Sequence, residues 1–359
     1  MKFPSLKVLN YQKKFIQSIS SSIEKNQMTL GPKCKELENM IREKLKVRHV
    51  VLTTSGTSAL MMATICSGLK PNQLGLCSNL AWVAATNPIL IMGGKLLVAD
   101  TIKNTELIDF KKLNYLIKLK KPKLVVLIHL NGQSTYNNEF DRLKKKLKFF
   151  VIEDAAQAFL TVNQNKHCGT KYDIGCFSLS VAKPIHMAYG GFCVTNNSKL
   201  ADKLIAARNN GVFEGNEKLS QTLGLNLKPS DLHAAIGIEN LKKFDERKKI
   251  LLNLYNLYKK TLKNKKFNFI KLKGKESAPN FAQILIKPDQ KQIFLEYCLK
   301  NGIGTAEGVT TIVETKMIKG SNENFPHSNY VARNLIRIPF GTGYKKNEIK
   351  KVIKILNEF

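Results

Sequence analysis

Asp154 lies where an α/β enzyme would bind a flat, cationic ligand. It follows the apolar run 149–152 and is followed by small residues in Glu153-Asp154-Ala155-Ala156-Gln157-Ala158. Open α/β sheets bind ligands at the carboxyl ends of their strands. A carboxylate there could pair with a cationic ring nitrogen, such as the pyridinium of pyridoxal phosphate, and the alanines would let the ring approach closely. An aspartate in this position could equally be the N-cap of a helix, so the pattern leaves both roles open.

Lys183 is the second residue whose surroundings suggest chemistry. It is the only lysine or arginine between residues 175 and 196, a stretch that contains two β-rich runs, 176–179 and 191–195. Partial burial between two strands would lower the pKa of the amine and favour imine formation with a carbonyl compound. A loop lysine that reaches into solvent would produce the same pattern, so the local sequence leaves these two interpretations open.

Two further segments could hold parts of a heterocyclic ligand. Trp82 is the only tryptophan and could stack on a ring, although core packing is the alternative. The turn Thr54-Ser55-Gly56-Thr57-Ser58 precedes an apolar helix predicted at 60–66, where helix N-terminal amides and hydroxyls could bind phosphate. Small hydroxyl-bearing residues also cap helices without any ligand, so both roles remain open at this turn.

The elements that must position these residues follow from alternating strand and helix patterns. Strands are predicted at 47–53, 95–99, 124–129, 149–152, 176–179 and 191–195, and helices at 11–25, 34–45, 60–66, 82–91 and 110–118. This alternation predicts an α/β fold. A helical region from residue 229 to about 262 contains a predicted domain boundary near Phe244, which divides the chain into 1–244 and 245–359. The second part is predicted to be α+β, with strands at 267–271 and 281–286 and helices at 290–301 and 346–356.

Composition and charge exclude several classes of protein. The 359 residues are 43% hydrophobic and 24% charged, which is typical of a globular enzyme and excludes a disordered or collagen-like chain. The net charge of +31 comes from scattered lysines with few arginines, and no nucleic-acid partner is expected. Seven widely spaced cysteines without a C-x-x-C pair predict no disulfide framework, no metal site and a cytoplasmic location. The absence of a long apolar stretch predicts no membrane insertion.

Taken in order, these motifs are similar to those of one enzyme family. The sequence resembles the DegT/DnrJ/StrS group of sugar-nucleotide aminotransferases, which are pyridoxal-phosphate enzymes of fold type I, and the resemblance covers nearly the whole chain. Its blocks are Leu30-Gly31-Pro32, Ser55-Gly56-Thr57-Ser58-Ala59-Leu60, Trp82-Val83-Ala84, His129-Leu130-Asn131-Gly132-Gln133, Glu153-Asp154-Ala155-Ala156-Gln157-Ala158, Phe177-Ser178 with Lys183 and Gly190-Gly191, Gly224-Leu225-Asn226, Ala234-Ala235-Ile236-Gly237 and Ile338-Pro339. The resemblance implies a large domain with a mixed, mostly parallel seven-stranded sheet flanked by helices, and a smaller α+β C-terminal domain.

The resemblance also implies roles for individual residues. Lys183 would form the Schiff base with pyridoxal 5'-phosphate and act as the catalytic base, Asp154 would pair with the pyridinium nitrogen, and Gln157 would lie near the ring hydroxyl. The other implied cofactor contacts are Thr57, Ser58 and Ser178 at the phosphate, Trp82 at the ring face, and Asn226 from the neighbouring subunit. A contact from a neighbouring subunit implies a homodimer with a shared active site.

The implied reaction is transfer of an amino group from L-glutamate to a keto sugar linked to a nucleotide, for amino-sugar and polysaccharide biosynthesis. One alternative is a dehydratase-like enzyme with the same cofactor, but that branch of the family has histidine in place of the lysine, so Lys183 argues against it. A non-catalytic regulator that binds the cofactor is the other alternative.

The chain departs from the family pattern at several positions. Leu225 stands where an aromatic residue is usual, Lys228 where an arginine is usual, and Asn131 where a tyrosine is frequent. The sugar pocket or the subunit contacts are therefore expected to differ from those of other members. His186 and Tyr189 lie close to Lys183 in the sequence but receive no assigned role.

Overall fold

The computed structural model describes residues 12–24, 26–163, 165–213, 222–272, 279–315 and 324–359. Two β-sheets organise these residues, one in the first two thirds of the chain and one in the last third. Tyr11 and Lys25, the ends of the first predicted helix, lie outside the described residues.

The larger sheet has seven strands. The strands of the first two thirds of the chain are β1 (His49–Thr53), β2 (Leu74–Ser78), β3 (Lys95–Ala99), β4 (Leu124–Ile128), β5 (Phe150–Asp154), β6 (Val162–Asn163), β7 (Lys166–His167), β8 (Ile174–Ser178) and β9 (Gly191–Thr195). The sheet order is β1-β9-β8-β5-β4-β2-β3, while β6 and β7 form a separate ribbon. Only β9 runs antiparallel to its neighbours in the seven-stranded sheet. The predicted α/β class with a mixed, mostly parallel seven-stranded sheet is therefore confirmed.

Helices cover both faces of this sheet. They are α1 (Gln12–Glu24), α2 (Pro32–Leu45), α3 (Gly56–Cys66), α4 (Asn87–Ile91), α5 (Phe110–Lys120), α6 (Asn138–Leu147) and α7 (Ser198–Arg208). Strand β4 shows why both faces of the sheet must be covered, because all five of its residues are buried. Val126 packs in the core with α3, while Val125 and Leu127 pack in a core with α5 and α6. Alternating side chains of a strand point to opposite faces, so a continuous apolar run requires a layer on each side.

The smaller sheet is antiparallel and lies in the last third of the chain. Its strands are β10 (Phe267–Phe269), β11 (Ala282–Ile286), β12 (Ala306–Glu307) and β13 (Leu335–Ile338), in the order β10-β11-β13-β12. The helices of this part are α9 (Phe244–Thr261), α10 (Pro288–Lys300), α11 (Pro326–Asn334) and α12 (Lys346–Glu358). The preceding helix α8 (Asp231–Lys242) instead packs against α1 and α2. Residues of α9, α10 and α12 share an apolar core with this sheet. The domain division at residue 244 stays a prediction, and α9 begins at that residue.

Two local expectations were wrong, and one strand was missed. The helix predicted at 82–91 is a 3-10 turn, Val83–Ala85, followed by the five-residue α4, because Pro88 can begin a helix but cannot donate within one. Strand β5 extends through Asp154 instead of ending at residue 152, so Asp154 is the last residue of a strand and not a helix N-cap. Strand β2 was not predicted. Its Gly75 is required because a Cβ there would lie 2.7 Å from Ile89 of α4.

The described residues contain no helix with both the length and the apolar character needed to cross a membrane.

Candidate active site

A cavity of about 470 Å³ lies at the carboxyl ends of β4, β5 and β8, beside the N-terminus of α3. The smaller sheet contributes part of its wall, through Phe281 just before β11 and Arg337 in β13. The expected site residues that line this cavity are Thr57, Trp82, Asp154, Gln157, Ser178 and Lys183. Residues far apart in the sequence therefore meet at the edge of the sheet where α/β enzymes bind ligands.

Asp154 presents a buried carboxyl group to the cavity. The residue is 8% exposed, and its Oδ1 accepts a hydrogen bond of 3.1 Å from the backbone N–H of Ala156. Burial raises the pKa of Asp154, while the bond from Ala156 and the charge of Lys183 lower it, and the net pKa lies above the ordinary value. A buried carboxylate with so little hydrogen bonding stays ionised most easily beside a cation. The position therefore suits a positively charged ligand atom.

Lys183 lies in the segment that connects β8 to β9 across the carboxyl edge of the sheet. Its backbone N–H donates to the carbonyl of Ser180 at 3.0 Å, and its half-buried side chain lines the cavity. Burial lowers the pKa of Lys183, nearby Arg337 lowers it further, and Asp154 opposes the shift. A lowered pKa increases the fraction of neutral amine, which is the form that attacks a carbonyl. The structure therefore does not support the alternative that Lys183 is a loop lysine that reaches only into solvent.

The N-terminus of α3 borders the cavity with hydroxyl groups and backbone amides. Ser55 caps the helix by accepting a hydrogen bond of 3.0 Å from the N–H of Ser58, and the hydroxyl of Ser58 lies 2.8 Å from those of Thr54 and Ser55. Ser58 is used within the cap, whereas Thr57 lines the cavity. A helix N-terminus attracts anions, so the capping and phosphate-binding roles suggested by the sequence are compatible here.

The end of β8 closely approaches the N-terminus of α3, which places Ser178 there. Ser178 is the last residue of β8 and lines the cavity. A Cβ on Gly56 would lie 2.8 Å from the Cβ of Ser178, and a Cβ on Gly191 would clash with the carbonyl group of Ser55. Glycine at both positions therefore allows the ends of β8 and β9 to reach the start of α3.

Trp82 and Gln157 both line the cavity. Trp82 is 63% exposed, so the alternative of core packing is wrong for this residue. The Oε1 of Gln157 accepts a hydrogen bond of 2.8 Å from the backbone N–H of Asn131. The side chain of Asn131 is buried and bonds to Phe281 and Gln283 of the smaller sheet. Asn131 thus connects the two sheets and does not line the cavity.

A buried hydrogen-bond cluster holds the end of β5 in place. Glu153 accepts hydrogen bonds from the Nε2 of His129 at 3.0 Å and from the hydroxyl of Tyr136 at 2.8 Å, as well as from three backbone N–H groups. The Nδ1 of His129 accepts a bond from the backbone N–H of Thr135, so the proton of a neutral imidazole lies on Nε2. This arrangement supports a structural role for His129.

Several other residues lie outside the cavity lining. His186 is buried, and burial together with the charge of Arg247 lowers its pKa to about 4, so its imidazole is neutral at pH 7. Asn226 is exposed and does not reach the cavity of its own chain. Within the described ranges, no three histidine, cysteine, aspartate or glutamate side chains are grouped to hold a metal ion.

Sequence reasoning did not identify every residue of the cavity wall. Arg337 and Phe281 both line the cavity, and the guanidinium carbon of Arg337 lies 3.9 Å from the centroid of the Phe281 ring. The one available signal was the neighbouring Ile338-Pro339 block, which identifies the strand but not the direction of the side chain before it.

Comparisons with known proteins agree with this architecture. Residues 10–357 match the model of the DegT/DnrJ/EryC1/StrS aminotransferase family. The chain is 31% identical over 306 residues to the UDP-4-amino-4,6-dideoxy-N-acetyl-beta-L-altrosamine transaminase of Campylobacter jejuni, a match that covers 82% of this chain and 80% of that protein.

Two solved structures share the fold. A DegT/DnrJ/EryC1/StrS aminotransferase of Brucella abortus superposes with a TM-score of 0.93 at 22% identity, covering 100% of this chain and 99% of that one. NtdA of Bacillus subtilis with bound cofactor PMP superposes with a TM-score of 0.88 at 21% identity, covering 99% of this chain and 85% of that one.

Proposed function

The chain belongs to the DegT/DnrJ/EryC1/StrS aminotransferase family, and from this premise we propose that it transfers an amino group from L-glutamate to a keto sugar linked to a nucleotide. The chain is a pyridoxal-phosphate-dependent aminotransferase, and the product proposed for it is an amino sugar for a surface polysaccharide or another glycan. One observation carries the proposal: Asp154, Lys183 and the hydroxyl-bearing N-terminus of α3 meet in a single cavity.

The residues of the cavity fit pyridoxal 5'-phosphate. The cofactor, when bound, withdraws electrons from the reacting carbon of the substrate and so makes amino transfer possible. Asp154 offers a buried negative charge for the ring nitrogen, and Lys183 offers an amine for the aldehyde. Thr57 and Ser178 flank the positive end of α3, where a phosphate is stabilised. By family resemblance, we also assign Ser58 to the phosphate, Gln157 to the ring hydroxyl and Trp82 to the ring face.

Lys183 is also placed to move protons. Its lowered pKa increases the fraction of neutral amine, and a neutral Nζ can take the proton from the amine-bearing carbon of the donor. The same Nζ can later deliver a proton to the keto carbon of the sugar. A positive charge on the ring nitrogen would favour the ionised form of the Asp154 carboxyl group.

The activity named for one relative supports a nucleotide sugar as the amino acceptor. The Campylobacter jejuni protein is a transaminase of a UDP-linked amino sugar and shares 31% identity with this chain. The net charge of +31 also favours an anionic diphosphate substrate by long-range attraction. Glutamate as the donor rests on the family resemblance.

The proposed function is tested by the two half-reactions of the holoenzyme. With L-glutamate we expect one equivalent of 2-oxoglutarate per site and conversion of the cofactor to pyridoxamine phosphate, followed by its return to pyridoxal phosphate when a keto sugar is added. The acceptor panel should include UDP-, GDP- and dTDP-linked keto sugars, with the same sugars lacking a nucleotide as controls. If the free sugars react as well as the linked ones, the nucleotide is not recognised. A dehydrated sugar formed without 2-oxoglutarate would favour the dehydratase-like alternative, and absence of any Schiff base would favour a regulator.

We further propose a homodimer whose active sites are shared. Large apolar side chains are exposed at the cavity, with Trp82 at 63% and Tyr189 at 72%. Leu225, outside the cavity lining, is also exposed, at 43%. Exposed apolar surface of this kind is typical of a protein interface. Asn226 follows Leu225, is exposed and does not line the cavity of its own chain, which fits a contact with the cofactor of a second copy.

For the dimer we expect a solution mass twice the 40.4 kDa of one chain, measured by light scattering or sedimentation. Leu225→Glu should shift the protein towards monomer and weaken pyridoxal-phosphate binding together, because a charge buried in an interface is costly. The matched control is Leu299→Glu, since Leu299 is 79% exposed on α10 and does not line the cavity. A wild type that is monomeric and binds the cofactor normally would contradict the shared site.

A cytoplasmic location is also part of the proposal. All seven cysteines are free thiols buried in the fold, and thiols persist in a reducing compartment.

A further inference from the structure

A second cavity, of about 690 Å³, opens at the amino edge of the larger sheet. Its wall consists of residues at or just before the starts of β4, β5 and β8, together with residues of α6 and β7. Phe150, which lines this cavity, is the first residue of β5, whereas Asp154 of the candidate active site is the last. Four steps along a strand span about 13 Å. The two cavities therefore lie at opposite edges of the sheet, and they share no lining residue.

Lysine dominates the lining of this second cavity. Six of the eleven lining residues are lysines, namely Lys123, Lys144, Lys145, Lys148, Lys166 and Lys171. In the whole chain, 51 of 359 residues are lysines. The cavity therefore concentrates lysine well beyond the average of the chain.

The carboxylates of the lining neutralise only part of this charge. Asp173 accepts a hydrogen bond of 2.6 Å from the Nζ of Lys144, and Asp141 accepts one of 2.7 Å from the Nζ of Lys171. In the part of the chain that the structure describes, the other four lysines of the lining form no ion pair within 4 Å. The cavity thus carries a surplus of four positive charges, and a concave surface with one sign of charge concentrates anions.

Part of the wall is held in place by hydrogen bonds. The backbone N–H groups of Lys171 and Tyr172 both donate to the Oε1 of Glu153 at 2.8 Å. The Nζ of Lys144 also donates to the carbonyl of Phe149 at 3.3 Å. Only 14% of the Lys171 side chain and 22% of the Lys144 side chain are exposed. A wall that is already ordered loses less entropy when a ligand binds.

The chemistry of the wall favours phosphate groups. A lysine ammonium is a compact point charge that binds phosphate, whereas planar recognition of carboxylates is typical of arginine. An anion with one charge would neutralise only one of the four surplus charges, whereas a diphosphate carries several charges close together. The cavity has the volume of a small-molecule site, while single-stranded nucleic acid binds along an extended basic groove.

We propose that the lysine-lined cavity binds a small anion that carries a diphosphate group. This site is separate from the proposed active site, and its test does not depend on amino transfer. Free pyrophosphate and the diphosphate of a nucleotide share the recognised chemistry, so the experiment includes both.

Calorimetric titration of the holoenzyme with pyrophosphate near physiological ionic strength tests the proposal. We expect at least one pyrophosphate to bind per chain without changing the absorbance of bound pyridoxal phosphate, and orthophosphate to bind at least about tenfold more weakly. Titrations with ADP and UDP identify the source of the anion. Nucleotides that bind no more tightly than pyrophosphate would show that the diphosphate alone is recognised, and tighter binding would add a contact to the nucleoside.

A double variant locates the bound anion. Lys145→Gln with Lys166→Gln removes two of the surplus charges, from α6 and β7, at exposed side chains whose replacement should leave the fold intact. The dissociation constant of pyrophosphate should rise about 30-fold, because each lost hydrogen bond between charged groups weakens binding. Lys146→Gln with Lys259→Gln is the matched control. It removes the same net charge at exposed positions of α6 and α9 outside the lining, and the dissociation constant should change less than about 2-fold.

Three results would overturn the inference. Equal affinity for orthophosphate and pyrophosphate, or equal losses in the two double variants, would show only the general attraction of a basic protein for anions. Pyrophosphate that changes the cofactor absorbance and binds Lys145→Gln with Lys166→Gln as tightly as the wild type would place the anion in the active-site cavity. Single-stranded DNA that binds through Lys145 and Lys166 while pyrophosphate does not bind would assign the surface to nucleic acid.

Discussion

Replacing Lys183 with alanine is expected to abolish the Schiff base with pyridoxal phosphate and to slow amino transfer from glutamate by about 10⁴-fold or more. The change removes both the amine that faces the cavity and the group that is placed to carry protons, and general acid–base catalysis alone contributes up to about 10⁴-fold. The absorbance spectrum of the protein with added cofactor measures the first loss, and single-turnover formation of 2-oxoglutarate measures the second.

Borohydride reduction shows whether the effect belongs to Lys183. The wild type should retain one reduced cofactor on the peptide that contains Lys183, as detected by mass spectrometry, and Lys183→Ala should retain none. Lys199→Ala is the matched control, because Lys199 is exposed on α7 and does not line the cavity. A reduced cofactor on a different lysine, or transfer that continues in Lys183→Ala, would show that the catalytic amine has been wrongly assigned.

Asp154→Asn is expected to leave the fold intact and to slow amino transfer by about 10³-fold. Asparagine has nearly the same shape but no charge, so it cannot stabilise a protonated ring nitrogen. Two opposite charges 4 Å apart interact by about 4 kcal/mol at an effective dielectric constant of 20, and each 1.36 kcal/mol changes a rate about tenfold. Single-turnover kinetics with glutamate measure the change in rate.

A pH titration separates this electrostatic role from a loss of packing. Loss of the carboxylate lowers the pKa of a cationic neighbour, so the absorbance of the bound cofactor in Asp154→Asn should titrate at a lower pH than in the wild type. Asp173→Asn is the control, since Asp173 precedes β8 at the opposite end of the sheet and bonds to Lys144 at 2.6 Å. Identical titrations in wild type and Asp154→Asn would argue against contact between Asp154 and the ring nitrogen.

The regular elements were predictable where hydrophobic periodicity was strong. Strands β3, β4 and β9 lie within one residue of their predicted bounds, because short buried runs of β-branched and apolar residues are local signals. Helix α6 was not predicted, since its many lysines obscure a single apolar face made by Phe140 and Leu143. Strand β2 was missed because Gly75, which its packing against α4 requires, weakens the strand pattern.

The residue types at Asp154 and Lys183, and the hydroxyl-bearing turn before α3, could be recognised in the linear chain because each depends on neighbours a few positions away. The linear sequence did not show that these residues line one cavity, although the family resemblance implied it. The wall formed by Phe281 and Arg337 depends on long-range contacts, such as those of Asn131 with Phe281 and Gln283, which lie 150 and 152 residues further along the chain. Local propensity and periodicity carry no information about such contacts, which arise only when the apolar faces of both sheets pack. The groups proposed for catalysis are thus encoded locally, while the cavity wall that Phe281 and Arg337 form is a product of tertiary structure.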